Sequence, residues 1–522
     1  MPHTSSTTPS SAPLAALHDG ILARLAAWKP LKAMVIGDFM LDQQVFGAAE
    51  RLSPDAPVPV LMAGDPRDIK ETPGGASNVA VCLRALEAEV TCIGVVGGDP
   101  EGESLRRKLH DLGCSIEGLI VDPSRPTTVK RSLIGLAQHR HPQKMFRLDF
   151  ESREPLGRAV SERLLGAMLG AIASVDVVCI EDYDKGVCSS QLCQAAIAEA
   201  RRLGKPVLVD PAAIEDYSRY RGATAITPNR SEAELATGMA TPLDASVAHN
   251  ARLAARLLSD VHLDAVVITL DRHGAILLEK NGAPLHVSTV ARTVYDVTGA
   301  GDMVLAALAA AIANRFPWPD AVGFANAAAG LEVEVFGAQA IPLAQVRQAV
   351  LGLAGRTSGT ARSLPDLLVE LAVHRGAGHR VVLTNGCFDV IHAGHVAYLR
   401  DAREQGDVLV VGLNADEEVR RQKGAGRPIF TQTERLEILG ELRCVDYLVV
   451  FTEPTADALI RAVRPDIYVK GGDYRPEEVN EYPLVQELGI EMRLLANRPG
   501  LGSSTIVKRI RELDSGLPIG QV

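Results

Sequence analysis

Gly299-Ala300-Gly301-Asp302, running straight into Met303-Val-Leu-Ala-Ala-Leu-Ala-Ala-Ala-Ile312, is a glycine turn that opens a buried helix. Glycines let the backbone come close to a ligand, and the free N–H groups of a helix start attract anions. Asp302 stands in the first turn, where it can accept a proton from an attacking hydroxyl while those N–H groups receive developing negative charge. The plainer alternative is an aspartate that complements the helix dipole above an ordinary turn.

Outward from this stretch, residues 30 to 340 alternate short β-rich apolar runs (Ala33-Met-Val-Ile36, Val175 to Ile180, Pro206-Val-Leu-Val209, Ala265-Val-Val-Ile268) with Ala/Leu segments of helical period. That alternation predicts an α/β fold with a central, mostly parallel sheet covered by helices. A second series (Val381-Val-Leu383, Asp407 to Gly412, Tyr447 to Val450, Ile467-Tyr-Val469) predicts a smaller, Rossmann-like doubly wound domain. Expected divisions are a disordered tail over 1–14, one domain over 15–345, a linker over 346–379 holding a helical segment from Leu364 to His374, and a second domain over 380–522.

Composition narrows the class. The net charge of -10, from 64 acidic against 54 basic residues, argues against a nucleic-acid partner. Eight cysteines fall singly, without C-x-x-C pairs, which suits reduced thiols in the cytoplasm. The Ser/Thr/Pro-rich start lacks the apolar core of a signal peptide, and no run approaches the ~20 apolar residues of a membrane span. No Walker A pattern is present.

Around the first site, Asp38 and Asp42 follow a strand, Gly74-Gly75-Ala-Ser-Asn78 opens a helix, and Asn229-Arg230-Ser231-Glu232 follows Ala225-Ile-Thr. Such residues at strand ends can grip sugar hydroxyls, and each alone can be a turn or a cap. The set, with Asp296-Val-Thr-Gly-Ala-Gly-Asp302, resembles the ribokinase-like carbohydrate kinases over about residues 30 to 340. The resemblance implies Asp302 as base and Gly299, Ala300 and Gly301 as anion hole. It implies Asn229, Arg230, Ser231, Glu232 and Asn326 at ATP, and Asp38, Asp42, Gly74, Gly75 and Asn78 at the sugar. Mg2+ would accompany ATP, indirectly through Glu232, with Asp182 a further candidate in Glu181-Asp182-Tyr183-Asp184-Lys185-Gly186, where solvated loop charges are an equal alternative. No tightly bound organic cofactor is expected. Kinases of this family dimerise through a lid of extra strands, so a homodimer is expected, with Val121 to Leu148 the candidate lid.

The second site is Thr384-Asn385-Gly386-Cys-Phe388-Asp389-Val-Ile-His392-Ala-Gly394-His395. Two histidines three apart at a helix start face one side and can donate to one phosphate. Zinc is the competing use, but no Glu or third His stands at metalloprotease spacing. Asn414, Asp416, Lys423, Lys470, Asp473 and the Ser503-Ser504-Thr505 cluster supply further polar groups. Residues 380 to 515 resemble the cytidylyltransferase-like nucleotidyltransferases. The resemblance implies that His392 and His395 stabilise the pentacovalent phosphorus, Lys423 and Lys470 hold phosphates, and Ser504 and Thr505 close over the nucleotide.

Longer strings, among them Arg51-Leu-Ser-Pro-Asp-Ala-Pro-Val-Pro-Val60 and Val469-Lys-Gly-Gly-Asp-Tyr474, are similar to the bifunctional heptose 7-phosphate kinase and heptose 1-phosphate adenylyltransferase family. That implies ATP at both sites, with heptose 7-phosphate and heptose 1-phosphate as co-substrates in ADP-heptose synthesis. Arg51, Lys130, Arg140, Lys144 and Arg147 are the basic candidates for the 7-phosphate, against a plain reading as solvated charges. Alternatives are a kinase and nucleotidyltransferase for another phosphorylated sugar or alditol, or a sugar-responsive regulatory protein with an inactive kinase half.

Overall fold

The structure, a computed structural model, describes residues 12–64, 69–136, 142–242, 245–288, 298–334, 337, 339–353, 360–424, 426–472 and 475–495. Asp296, Arg140, Asp473, Ser503, Ser504, Thr505 and the first eleven residues of the expected tail lie outside them. The chain forms two compact units divided between Val350 and Leu351. A helix, Ala12–Ala26, already begins within the 1–14 segment. Among the described residues no helix is long and apolar enough to cross a membrane.

The first unit is built on a nine-stranded sheet in the order Leu285–Val287, Ala275–Glu279, Ala265–Thr269, Ala225–Ile226, Val207–Asp210, Val177–Glu181, Leu31–Gly37, Ala88–Gly97, Ser115–Asp122. All neighbours are parallel except the first three strands of that order, which pair antiparallel. Strand Val177–Glu181 is buried at every position, as expected of a parallel strand with both faces covered. The strand order reverses beside Leu31–Gly37: the chain adds strands to one side of it, then returns to the other with Val177–Glu181. Ligands of such sheets collect at the carboxyl ends flanking that reversal, here Gly37-Asp38 and Glu181-Asp182.

A separate five-stranded sheet forms from Phe39–Leu52, Pro59–Met62, Ile69–Gly75, Thr128–Leu136 and Gln143–Phe150. Its long strand Phe39–Leu52 pairs with Thr128–Leu136 in register, setting Asp42 opposite Lys130. This sheet leaves Leu52, Met62, Ile69, Leu136, Phe146, Leu148 and Phe150 exposed, an apolar concentration that a solvated sheet does not need.

The second unit holds a six-stranded, all-parallel sheet in the order Ala361–Arg362, Tyr447–Phe451, Val408–Asn414, Val381–Gly386, Ile467–Gly471, Glu491–Leu495. Val381 and Leu383 enter one core cluster and Val382 another, so strand Val381–Gly386 is buried on both faces. The stretch 346–379 contains the helix Leu364–Gly376, started by Ser363, whose hydroxyl accepts from the Asp366 N–H. Leu367 and Leu371 of that helix pack in the second unit's core. Here the order reverses between Val381–Gly386 and Ile467–Gly471, which places the crevice beside the His392 and His395 loop.

Two candidate active sites

Asp302 lies in the first turn of the helix Ala300–Ala313, which Gly299 starts with a left-handed φ of 93°. Its carboxylate is buried and bonded twice: the Asn78 side-chain amide donates to Oδ2 at 2.8 Å, and the Tyr183 hydroxyl to Oδ1 at 3.2 Å. Burial pushes its pKa up to about 6, against the lowering effect of Asn78, the Lys130 charge and Tyr183. A carboxylate poised near neutrality is suited to general-base work.

Three carboxylates converge at this point. Oxygens of Glu181, Asp210 and Asp302 all lie within 4.8 Å of one another. Burial first, then mutual repulsion with Asp302 and Glu232, drives Glu181 and Asp210 well above the usual carboxylate range. Glu181 Oε2 is enclosed and has no hydrogen-bond partner among the described residues. Buried like charges this close need a proton or a cation among them, so this donor set fits a hard divalent ion.

Asp182, the sequence candidate for metal, is turned elsewhere. Its Oδ2 accepts from the Tyr220 hydroxyl at 2.7 Å and from Arg219 at 3.1 Å, and its Oδ1 from the Asp184 N–H at 2.8 Å. Asn229 and Glu232 form a capping box at the helix Arg230–Thr237, with side chain to backbone distances of 3.0 and 2.8 Å. The remaining Glu232 charge still bears on Asp210 and Glu181. Arg230 is buried and bonds the Pro242 carbonyl at 2.9 Å, which makes it an anchor of the neighbouring loop, while Ser231 is exposed. Asn326 donates to the Val287 carbonyl at 3.0 Å. Asp210 was missed in the sequence, although its place at the end of strand Val207–Asp210 is the signal that would have found it.

The residues expected at the sugar, Asp38, Asp42, Gly74, Gly75 and Asn78, lie close to one another. Asp38 Oδ2 accepts from the backbone N–H of Tyr183 at 2.8 Å and of Lys185 at 3.1 Å, while Oδ1 is buried with no hydrogen-bond partner among the described residues. Burial and the Asp182 charge lift its pKa to about 6. A side chain at Gly74 would strike the Asp42 carboxylate at 2.7 Å, and one at Gly75, with φ of 53°, the Asp38 carbonyl at 2.9 Å. Burial raises the Asp42 pKa, opposed by the charges of Lys130, Arg147 and Lys144, so three of the basic candidates surround that carboxylate. The fourth described candidate, Arg51, is exposed. Asn78 is brought to the site but is bonded to Asp302.

In the second unit, His392 caps the helix Ala393–Arg403 by accepting the Gly394 N–H on Nδ1 at 3.0 Å. That bond leaves the proton of the neutral ring on Nε2, available as a donor. The His392 and His395 rings lie 4.0 Å apart, and Phe388 meets His395 edge-on at 5.5 Å. Burial, with the neighbouring His392 and Lys423 charges, depresses His395 to about 4, and burial lowers His392. Both rings are neutral donors at pH 7, and His395 Nδ1 is enclosed with no hydrogen-bond partner among the described residues.

The other expected contacts divide. Thr384 bonds the Tyr398 hydroxyl at 2.6 Å and Asn385 accepts from the Tyr468 hydroxyl at 2.6 Å, so both side chains already have protein partners. Gly386 ends the central strand, and Asn414 ends its neighbour. Asp389 is fully enclosed by Arg427 and the N–H groups of Ile429 and Phe430, at 2.5 and 3.2 Å for the two N–H groups. Burial acts to raise its pKa, but these donors hold it below the usual value. Asp416 is bonded by Arg435 at 2.6 Å. Lys423 is exposed at the end of the helix Asp416–Lys423, and Lys470 pairs with Glu481 at 3.3 Å.

Comparison with known proteins gives these sites a context. Residues 31–345 match the family described as pfkB family carbohydrate kinase, and residues 383–510 match the cytidylyltransferase-like family. A "Bifunctional protein HldE" from Geobacter metallireducens is 41% identical over 92% of this chain and 96% of its own length. Another, from Syntrophotalea carbinolica, is 40% identical over 94% and 97%. The solved structure of phosphofructokinase-2 from Escherichia coli in complex with substrates and products covers 62% of this chain and 99% of its own, with TM-score 0.51 and 18% identity, a likeness of fold alone. This chain, a carbohydrate kinase joined to a nucleotidyltransferase, belongs to the pfkB carbohydrate kinase family through its first unit and, over nearly its whole length, to the bifunctional HldE proteins.

Proposed function

We propose that the chain performs two ATP-dependent steps of ADP-heptose synthesis for the lipopolysaccharide core. The first unit moves the γ-phosphoryl of ATP to O1 of D-glycero-β-D-manno-heptose 7-phosphate. The second joins AMP from another ATP to the heptose 1-phosphate, releasing pyrophosphate. The observation that carries this reading is the pairing of two unlike phosphate sites on a chain 40 to 41% identical, along 92 to 94% of its length, to bifunctional HldE proteins.

In the first unit Asp302 takes the proton of the sugar hydroxyl as that oxygen attacks the γ-phosphorus. Asn78 and Tyr183 hold the carboxylate in place, and the N–H groups of Gly299, Ala300 and Gly301 face the charge that develops. The sugar lies against Gly74 and Gly75, where Asp38 and Asp42 bond its hydroxyls, with the lid cations Lys130, Lys144 and Arg147 meeting the 7-phosphate. Asn229, Arg230, Ser231, Glu232 and Asn326 border the nucleotide. Glu181 and Asp210, with Glu232 behind them, would hold Mg2+, which supplies charge neutralisation for the phosphates.

In the second unit the sugar phosphate is already ionised, so its oxygen attacks the α-phosphorus without a base and pyrophosphate leaves. His392 Nε2–H and His395 donate to the phosphorus oxygens, and Lys423 and Lys470 hold the outer phosphates, Lys470 by exchanging Glu481 for the ligand. Ser503, Ser504 and Thr505 close over the nucleotide. A separate phosphatase removes the 7-phosphate between the steps. The chain works in the cytoplasm as a homodimer, paired through the apolar face of its five-stranded lid sheet. Incubation with ATP, Mg2+ and a panel of sugar 7-phosphates and 1-phosphates tests the assignment: turnover of the heptose phosphates supports it, and turnover of pentose phosphates alone overturns it.

A further inference from the structure

Arg435, in the helix Gln432–Gly440 of the second unit, heads the largest completely enclosed side chains among the described residues. A buried guanidinium is costly unless its donors are matched, and these are matched in an unusual way. Nε donates to the Phe430 carbonyl at 3.1 Å. Nη1 donates to the Cys387 carbonyl at 2.6 Å and the Asn414 carbonyl at 2.9 Å. Nη2 donates to Asp416 Oδ1 at 2.6 Å.

Those acceptors belong to separate walls of one crevice. Cys387 starts the loop that runs from the central strand Val381–Gly386 to the helix start bearing His392 and His395. Asn414 ends the adjacent strand Val408–Asn414. Asp416 begins the helix whose last residue is Lys423. Phe430 closes a loop that Asp389, just after Cys387, grips from the other side through the Ile429 and Phe430 N–H groups. One planar cation therefore sets the spacing between the histidine loop and the helix that presents Lys423. A lysine ammonium, a single point of charge, cannot serve three carbonyls and a carboxylate lying in different directions.

We infer that Arg435 is a positioning residue for adenylyl transfer: through Cys387, Asn414 and Asp416 it fixes His392, His395 and Lys423 at the separation needed to meet one triphosphate. Asp416 then serves the site as the anchor of Arg435 and not as a nucleotide contact. The inference rests on the second unit being an adenylyltransferase. If the unaltered chain releases no pyrophosphate from ATP and heptose 1-phosphate, that reading fails, whatever Arg435 does.

The test uses the full chain carrying Arg435→Lys, Arg435→Ala or Asp416→Asn, with circular dichroism and the thermal unfolding transition of the second unit in the same sample as the check on folding. For Arg435→Lys, kcat of pyrophosphate release falls roughly 100-fold, the scale of an ångström-level misplacement, while KM for ATP moves less than about 3-fold. Asp416→Asn lowers kcat by roughly 10-fold in the same pattern. Added guanidinium ion restores part of the turnover of Arg435→Ala. The inference is overturned if Arg435→Lys keeps kcat within about 3-fold of the unaltered chain. It is equally overturned if Asp416→Asn raises KM for ATP and leaves kcat alone. Should both Arg435 variants lose the fold of the second unit, the Asp416→Asn split between kcat and KM decides alone.

Discussion

Asn78 and Asp302 stand 224 positions apart in the chain, yet the Asn78 side-chain amide donates to Asp302 Oδ2 at 2.8 Å inside the buried site. Each lies near the start of a helix that opens on a glycine of positive φ, Gly75 at 53° and Gly299 at 93°. Two helix starts are thus tied together by a bond that also lowers the pKa of Asp302.

That bond favours the ionised form of Asp302, so its loss raises the carboxyl above its present value of about 6. Asn78→Ala is expected to move the acidic limb of the kinase kcat/KM profile upward in pH and to lower the plateau by roughly 10- to 100-fold. Initial rates of ADP formation between mildly acidic and mildly alkaline pH measure both. An unmoved limb would separate Asn78 from the base.

Independence of the two sites gives a reciprocal pair. Asp302→Asn removes the base and is expected to cut kinase turnover by at least about 10²-fold while pyrophosphate release is unchanged. His395→Ala does the opposite, with a loss of about 10²-fold in adenylyl transfer from one missing charge-stabilising donor. Parallel assays of ADP and pyrophosphate check this, and loss of both activities in either folded variant contradicts it.

Glu332 is a stability liability. Only 1% of it is exposed, and among the described residues no side chain donates to either oxygen. Burial and the Asp302 charge raise its pKa to about 8, partly offset by the Gln339 backbone. The folded pKa lies above the unfolded one, so the contribution of this group is favourable below the ordinary Glu value and is lost as pH rises through about 8. Glu332→Leu is expected to stabilise the first unit by roughly 1 to 3 kcal/mol in alkaline buffer and by less in acid. Thermal unfolding at two pH values shows whether the gain grows with pH, as this origin requires.

Phe146 is 62% exposed on the five-stranded sheet beside Phe150 at 47% and Leu148 at 40%. On the proposed pairing through this face, Phe146→Glu sets an unpaired charge in it and is expected to shift the chain from dimer to monomer in sedimentation or light scattering. An unaltered chain that is already monomeric at assay concentration would rule out the lid as a dimer interface.

The features legible in the sequence were those spelled by local constraint. Gly299 to Asp302 and Gly74-Gly75 reveal close backbone approach, and the alternation of strand and helix periods reveals parallel sheets. Asn229 with Glu232 reads as a capping box, which is how the structure uses it. The convergence of Glu181 with Asp210 was hidden because it depends on which strands become neighbours. Adjacent residues at a strand end point to opposite faces, so Glu181 enters the carboxylate cluster while Asp182 turns to Tyr220. The edge strand Ala361–Arg362 is too short to show a period. Arg435 was illegible for another reason: three of its acceptors are backbone carbonyls, which side-chain patterns do not encode.

The central claim is that one chain carries out two steps on one sugar with an outside step between them. Mass spectrometry of the products formed from ATP and D-glycero-β-D-manno-heptose 7-phosphate, with and without an added phosphatase, tests it most directly. The account predicts heptose 1,7-bisphosphate alone without the phosphatase and ADP-heptose once it is present. ADP-heptose formed without the phosphatase, or no bisphosphate under either condition, would contradict it.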